Sequence, residues 1–116
     1  PYALRAQRLV EHRVALWDVC KSAQRPGSLD ADIDLSSVIV NDFPVFFGEH
    51  RAIAAVFTNG GTATRCYRRL VLPRLGPVAR ALPVHALPST SPAHAAMRFE
   101  QKLERWRAIT ALLQAA

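Results

Sequence analysis

Three short apolar runs, Arg13–Val19 (RVALWDV), Ile53–Thr58 (IAAVFT) and Leu82–Leu87 (LPVHAL), alternate with four stretches of helical periodicity, and this alternation restricts the fold more than any other feature. Two parallel strands cannot be joined by a tight hairpin; they need a crossover, usually a helix. The order helix, strand, helix, strand, helix, strand, helix therefore predicts an α/β domain with a short parallel sheet. The first stripe runs from Tyr2 to His12 through Tyr2, Ala6, Leu9 and Val10. The second spans Asn41 to His50, with Asn41 or Asp42 as its cap and Phe43, Phe46 and Phe47 as its buried face. The third puts Ala63, Cys66, Tyr67 and Leu70 on one side until Pro73, Gly76 and Pro77 break the pattern. The last repeats Phe99, Leu103, Trp106, Ile109 and Leu113, with charged residues including Lys102 outside. Between the first strand and second helix, KSAQRPGSLDADI reads as a long polar connection, a kind of loop that is often functional.

In parallel sheets ligands sit beyond the carboxyl ends of the strands. That rule selects Asp18, then Thr58-Asn59-Gly60-Gly61, then Ser89-Thr90-Ser91, and expects the three to converge on one pocket. The Ser-Thr-Ser turn, stiffened by Pro88 and Pro92, either presents hydroxyls and amides to an anion or simply caps the following helix. Asn59 either reads a ligand through its amide, with glycines allowing close approach, or belongs to an ordinary tight turn. Asp18 is either a recognition carboxylate or a loop brace. Of the four histidines only His94 lies near a candidate site.

The 116 residues suffice for one domain, expected to span 1–116. Lys and Arg number 15 against 9 Asp and Glu, giving +6 and a pI near 10.4. Such a surface attracts polyanions whatever their sequence, or is merely well solvated. Cys20 and Cys66 lack metal-ligand spacing, so no metal or other cofactor is expected, and both thiols read as small core residues of a cytoplasmic protein. No apolar run reaches the roughly 18 residues that would span a bilayer, so no membrane partner is expected.

Taken together, VALWDVCKSAQRPGSLDADI, NDFPVFFGEHRAIAAVFTNGGTATRCYRR and LPSTSPAHA followed by FEQKLERW resemble the uracil-DNA glycosylase superfamily, best its hypoxanthine-DNA (deoxyinosine) glycosylase branch, relatives of the mismatch-specific uracil glycosylases. The resemblance implies a three-layer α/β/α fold and enzymes that flip a deaminated base, hypoxanthine or uracil, from DNA and hydrolyse its N-glycosidic bond without a cofactor. Extrusion costs a few kcal/mol, and cleavage leaves an anionic base that needs hydrogen-bond donors.

Carried onto this chain, the resemblance makes LPSTSPA the minor-groove loop and assigns DNA contact to Ser89, Thr90, Ser91, Pro92 and His94. It gives base recognition to Asp18 or Asn59. Leu87 stands where the classical uracil enzymes have a histidine. The family's first motif, with its water-positioning residue, would precede Pro1 by way of about sixty further residues including a central strand. The chain is thus expected to be the C-terminal two-thirds of a glycosylase domain with its first strand absent, to turn over little or not at all alone, and to have strand edges prone to self-association. Two other functions fit the same residues: a non-catalytic basic α/β module binding nucleic acid or nucleotide, and a small serine-type hydrolase in which His94 or His85 serves Ser89 or Ser91.

Overall fold

A computed structural model describes residues 2–22, 35–91 and 97–115. Among these residues it is a mixed α/β arrangement with two separate two-stranded sheets. Helix α1 (Tyr2–Glu11) leads to β1 (Cys20–Ser22), which pairs antiparallel with β2 (Ile39–Val40) after a 3₁₀ turn at Leu35–Ser37. Helix α2 (Phe43–Glu49) precedes β3 (Val56–Asn59), and α3 (Gly61–Cys66) runs on through a π-helical turn, Tyr67–Val71, and a 3₁₀ turn, Leu72–Arg74. The short α4 (Pro77–Arg80), β4 (Val84–Leu87) and α5 (Phe99–Ala115) complete the order. Strands β3 and β4 are parallel, with Val56 opposite Val84 and Asn59 opposite Leu87.

Local chemistry accounts for most of these boundaries. Asp42 caps α2 by accepting a hydrogen bond from the Val45 amide at 3.2 Å, and Pro44 sits in the first turn, where its missing N–H costs nothing. Pro77 opens α4 for the same reason. Gln101 starts α5 by accepting from the Arg98 amide at 2.9 Å, one half of a capping box.

The parallel sheet is shorter than expected because Arg13–Val19 is not one of its strands. Arg13 and Val14 are consumed in ending α1: the Val14 amide reaches the Leu9 carbonyl, the Arg13 amide reaches Val10, and Arg13 adopts φ 65°. This is a Schellman cap with arginine in the position glycine usually fills, at a cost of about 1 kcal/mol. The Arg13 guanidinium then donates to the Leu113 carbonyl at 2.8 Å, fastening α1 to the carboxyl end of α5. Beyond it Leu16 is 68% exposed, and Trp17 packs on Phe43 and Phe46 at centroid distances of 5.0 and 4.8 Å rather than joining a ladder.

The core is thin. Phe43, Tyr67, Val71 and Leu75 form its buried centre, and Val56 and Val84 pack on it from the parallel strands. The π turn lets consecutive helical positions face inward: Cys66, Tyr67 and Val71 are all buried. Helix α5 is rotated from its expected orientation. Lys102, Trp106, Ile109 and Leu113 are half-buried, whereas Phe99 is 72% exposed and Leu103 is exposed as well.

Candidate functional site

The carboxyl ends of β3 and β4 finish side by side. The last rung of the ladder runs from the Gly60 amide to the Leu87 carbonyl at 2.9 Å. One residue earlier, the Asn59 side chain crosses to the turn after β4: its Nδ2 donates to Thr90 Oγ1 at 3.1 Å, and its Oδ1 accepts from the Thr90 amide at 3.0 Å. The Asn59-Gly60 corner and the Ser-Thr-Ser turn are thereby joined by a two-point clasp. Ser89 Oγ accepts from the Ser91 amide at 3.0 Å, which tightens the turn from within.

Gly60 has to be glycine here for two separate reasons. Its φ of 95° is strained for any side chain, and an added Cβ would lie 3.0 Å from Ser89 Cβ. Behind the corner, Thr64 Oγ1 donates its single hydrogen to the Gly60 carbonyl at 2.8 Å. The 2.7 Å bond between the Thr58 and Thr64 hydroxyls must then have Thr58 as its donor. Both threonines are buried, so this corner is set from inside. From the other side α5 braces the turn: Trp106 Nε1 donates to the Pro88 carbonyl at 2.9 Å, and Lys102 Nζ donates to the Ser91 carbonyl at 3.2 Å.

The clasp determines what remains available to a ligand. Asn59 retains one Nδ2 hydrogen and one Oδ1 lone pair, so its amide is more a structural tie than a free reader of an outside group. The hydroxyl hydrogens of Ser89 and Thr90 are uncommitted among the described residues, and the Lys102 ammonium stands beside them with hydrogens to spare. Arg65, Arg68 and Arg69 are exposed along α3 and its π turn, without an acidic partner among the described residues. The Ser89 and Thr90 hydroxyls with the Lys102 ammonium make a donor-rich patch suited to an anion.

The other expected site residues fall differently. Asp18 is exposed and is not at the tip of a parallel strand; its carbonyl accepts from Asn41 Nδ2 at 2.7 Å, tying it to the side of the molecule that carries β1 and β2. Asn41 also lines a concavity of about 310 Å³ with Phe43, Val71 and Arg74. Pro92 and His94 lie outside the described residues. His85 stacks on Phe57 at 4.9 Å, and the hydrogen bond that Ser89 Oγ makes among the described residues is to the Ser91 amide, not to an imidazole.

Thr64, Lys102 and Trp106 are the members of this surface that sequence reasoning missed. A signal existed for each: Thr64 lies four residues after the corner glycine, within reach of its carbonyl, and Lys102 and Trp106 share a helix face. Among the described residues no cluster of His, Cys, Asp or Glu could hold a metal ion, and no helix is long and apolar enough to cross a membrane. No family model matches this chain, and no curated protein or solved structure is significantly similar to it.

Proposed function

We propose that the surface at the ends of β3 and β4 binds DNA, and that the chain belongs to a base-excision glycosylase of the uracil-DNA glycosylase type, with the three-layer fold of that superfamily. The observation that carries this reading is the Asn59–Thr90 clasp. It unites two strand-end loops, 31 residues apart, into one stiff element whose outward groups are hydroxyl donors and a lysine ammonium.

A turn that grips a bent phosphodiester backbone must keep its shape while the duplex does not, since unstacking a base already costs a few kcal/mol. The clasp, the Ser89–Ser91 bond and the two braces from α5 supply that stiffness. In this reading Ser89, Thr90 and Ser91 contact the backbone beside the extruded nucleotide, Pro92 and His94 continue the contact, and Lys102 neutralises a phosphate. Asn59 chiefly holds the turn, and Asp18, tied to Asn41 beside β1 and β2, does not join this surface. The Ser89 and Thr90 hydroxyls and the Lys102 ammonium are groups suited to binding an anion.

A specific observation favours a second reading, a basic α/β module that binds nucleic acid without selecting damage: the Asn59 amide is largely spent on Thr90. Titrating the chain with duplexes that differ only in one deoxyinosine or deoxyuridine, across a range of salt, separates the two. The glycosylase reading expects tighter binding to the damaged duplexes, no abasic product at ordinary enzyme rates, and a slope of log K against log salt that falls by about 1 in Lys102→Ala. Equal affinity for all duplexes favours the module. Absence of salt-sensitive binding overturns both.

A further inference from the structure

The two cysteines of this chain, 46 residues apart, come from different elements and meet. Cys20 Sγ on β1 lies 3.8 Å from Cys66 Sγ at the end of α3. A disulfide requires about 2.05 Å, so the sulfurs need to close by roughly 2 Å, within the range of side-chain rotation and a small backbone shift. Their surroundings differ. Cys66 is fully buried, whereas Cys20 is only half-buried.

We propose that Cys20 and Cys66 form a peroxide-oxidisable dithiol whose disulfide fastens the antiparallel ladder of β1 and β2 to helix α3. The roles follow from the geometry. The Cys20 thiolate attacks one oxygen of a hydroperoxide; the O–O bond breaks, and the departing hydroxide takes a proton and leaves as water. Cys20 is then a sulfenic acid. The Cys66 sulfur, already in contact, attacks the Cys20 sulfur; the S–O bond breaks, and the hydroxyl leaves as a second water with the Cys66 proton. Two thiols and one peroxide yield one disulfide and two waters, the two electrons passing from sulfur to peroxide oxygen.

Burial, assisted by the neighbouring Cys20 and opposed by Arg65, pushes the Cys66 thiol up to about 11. It therefore stays protonated at neutral pH and is a poor first target for an oxidant. Contact with Cys20 compensates in the second step, because the attack is intramolecular. The bond would close a loop containing β2, α2 and β3, and would hold the Asp18 segment, two residues ahead of Cys20, against the helix that begins at the strand-end surface.

The test treats the full chain with stoichiometric hydrogen peroxide, blocks remaining thiols with N-ethylmaleimide under denaturing conditions, and reads intact mass and a peptide map. The expected result is a monomer lighter by two hydrogens, unreactive to maleimide, with a Cys20–Cys66 linked peptide and a melting temperature raised by several degrees, all reversed by dithiothreitol. Cys66→Ser should instead let dimedone trap the sulfenic acid at Cys20, and Cys20→Ser should leave Cys66 unoxidised; circular dichroism checks that each variant is folded. The Cys20→Ser arm keeps the test decisive if the buried substitution fails to fold. Two maleimide adducts after peroxide, a sulfinic acid at Cys20, or linkage between chains in place of the internal bond would each overturn the proposal.

Discussion

Asn59, expected as a strand-end amide, is tied by two hydrogen bonds to Thr90. Its place after an apolar run marked it as a strand-end group, and the hydroxyl turn after Leu87 was marked in the same way. Their partnership was not legible, because it depends on the parallel register that sets Asn59 opposite Leu87 and so brings Thr90 within 3.1 Å. The cysteines repeat the lesson: both read as core residues, Cys66 is one, and only folding brings Cys20 to it. Burial of Cys66 has a consequence for stability. The folded chain keeps that proton up to about 11, whereas the unfolded chain releases it near the ordinary thiol value. Between those values the unfolded state binds fewer protons, so the stability fully present below the ordinary value is lost as pH rises, by at most about 1.4 kcal/mol per pH unit. Tyr67, also raised by burial, adds loss of the same sign at higher pH. Urea midpoints of the reduced protein should therefore fall between about pH 9 and about pH 11, and Cys66→Ala should flatten much of that fall. A level profile in the unsubstituted chain would contradict the burial argument.

At the scale of elements, helix boundaries were the most readable feature, because caps and prolines act over three or four residues. Asp42 and the break at Pro73 stand where the pattern puts them, whereas Pro77, expected only to break a helix, also opens the short α4. The run Arg13–Val19 was misread because apolar content alone cannot distinguish a buried strand from a segment spent on a helix cap and an aromatic contact. The face of α5 was misread for a different reason. Periodicity permits neighbouring stripes, and the one that turns inward carries two polar bonds, from Lys102 to Ser91 and from Trp106 to Pro88. The second of these can be removed with little change in packing. Trp106→Phe should cost about 1 kcal/mol and speed hydrogen exchange at the Thr90 and Ser91 amides, with less effect on the β3–β4 ladder. Unchanged exchange at those two amides would mean that α5 does not brace the turn.

For the whole molecule, the thin core and the two separate ladders matter together. Among the described residues no strand pairs with the outer edge of β3 or of β4, and Leu16, Val78, Phe99 and Leu103 remain exposed. Exposed apolar groups and strand edges favour association, which the positive charge opposes until salt screens it. Sedimentation should show a weight-average mass that rises with protein concentration, more so at high salt; a monomer under all conditions would speak against open, sticky edges. What is local can be read directly along the chain: where most helices start and stop, which residues turn it, and its net charge of +6. Tertiary structure alone decided which strands pair, which face of α5 turns inward, that Asn59 clasps Thr90, and that Cys20 touches Cys66. These contacts join residues 11 to 46 positions apart. Their existence depends on how separate elements dock, and short-range propensity carries no record of that.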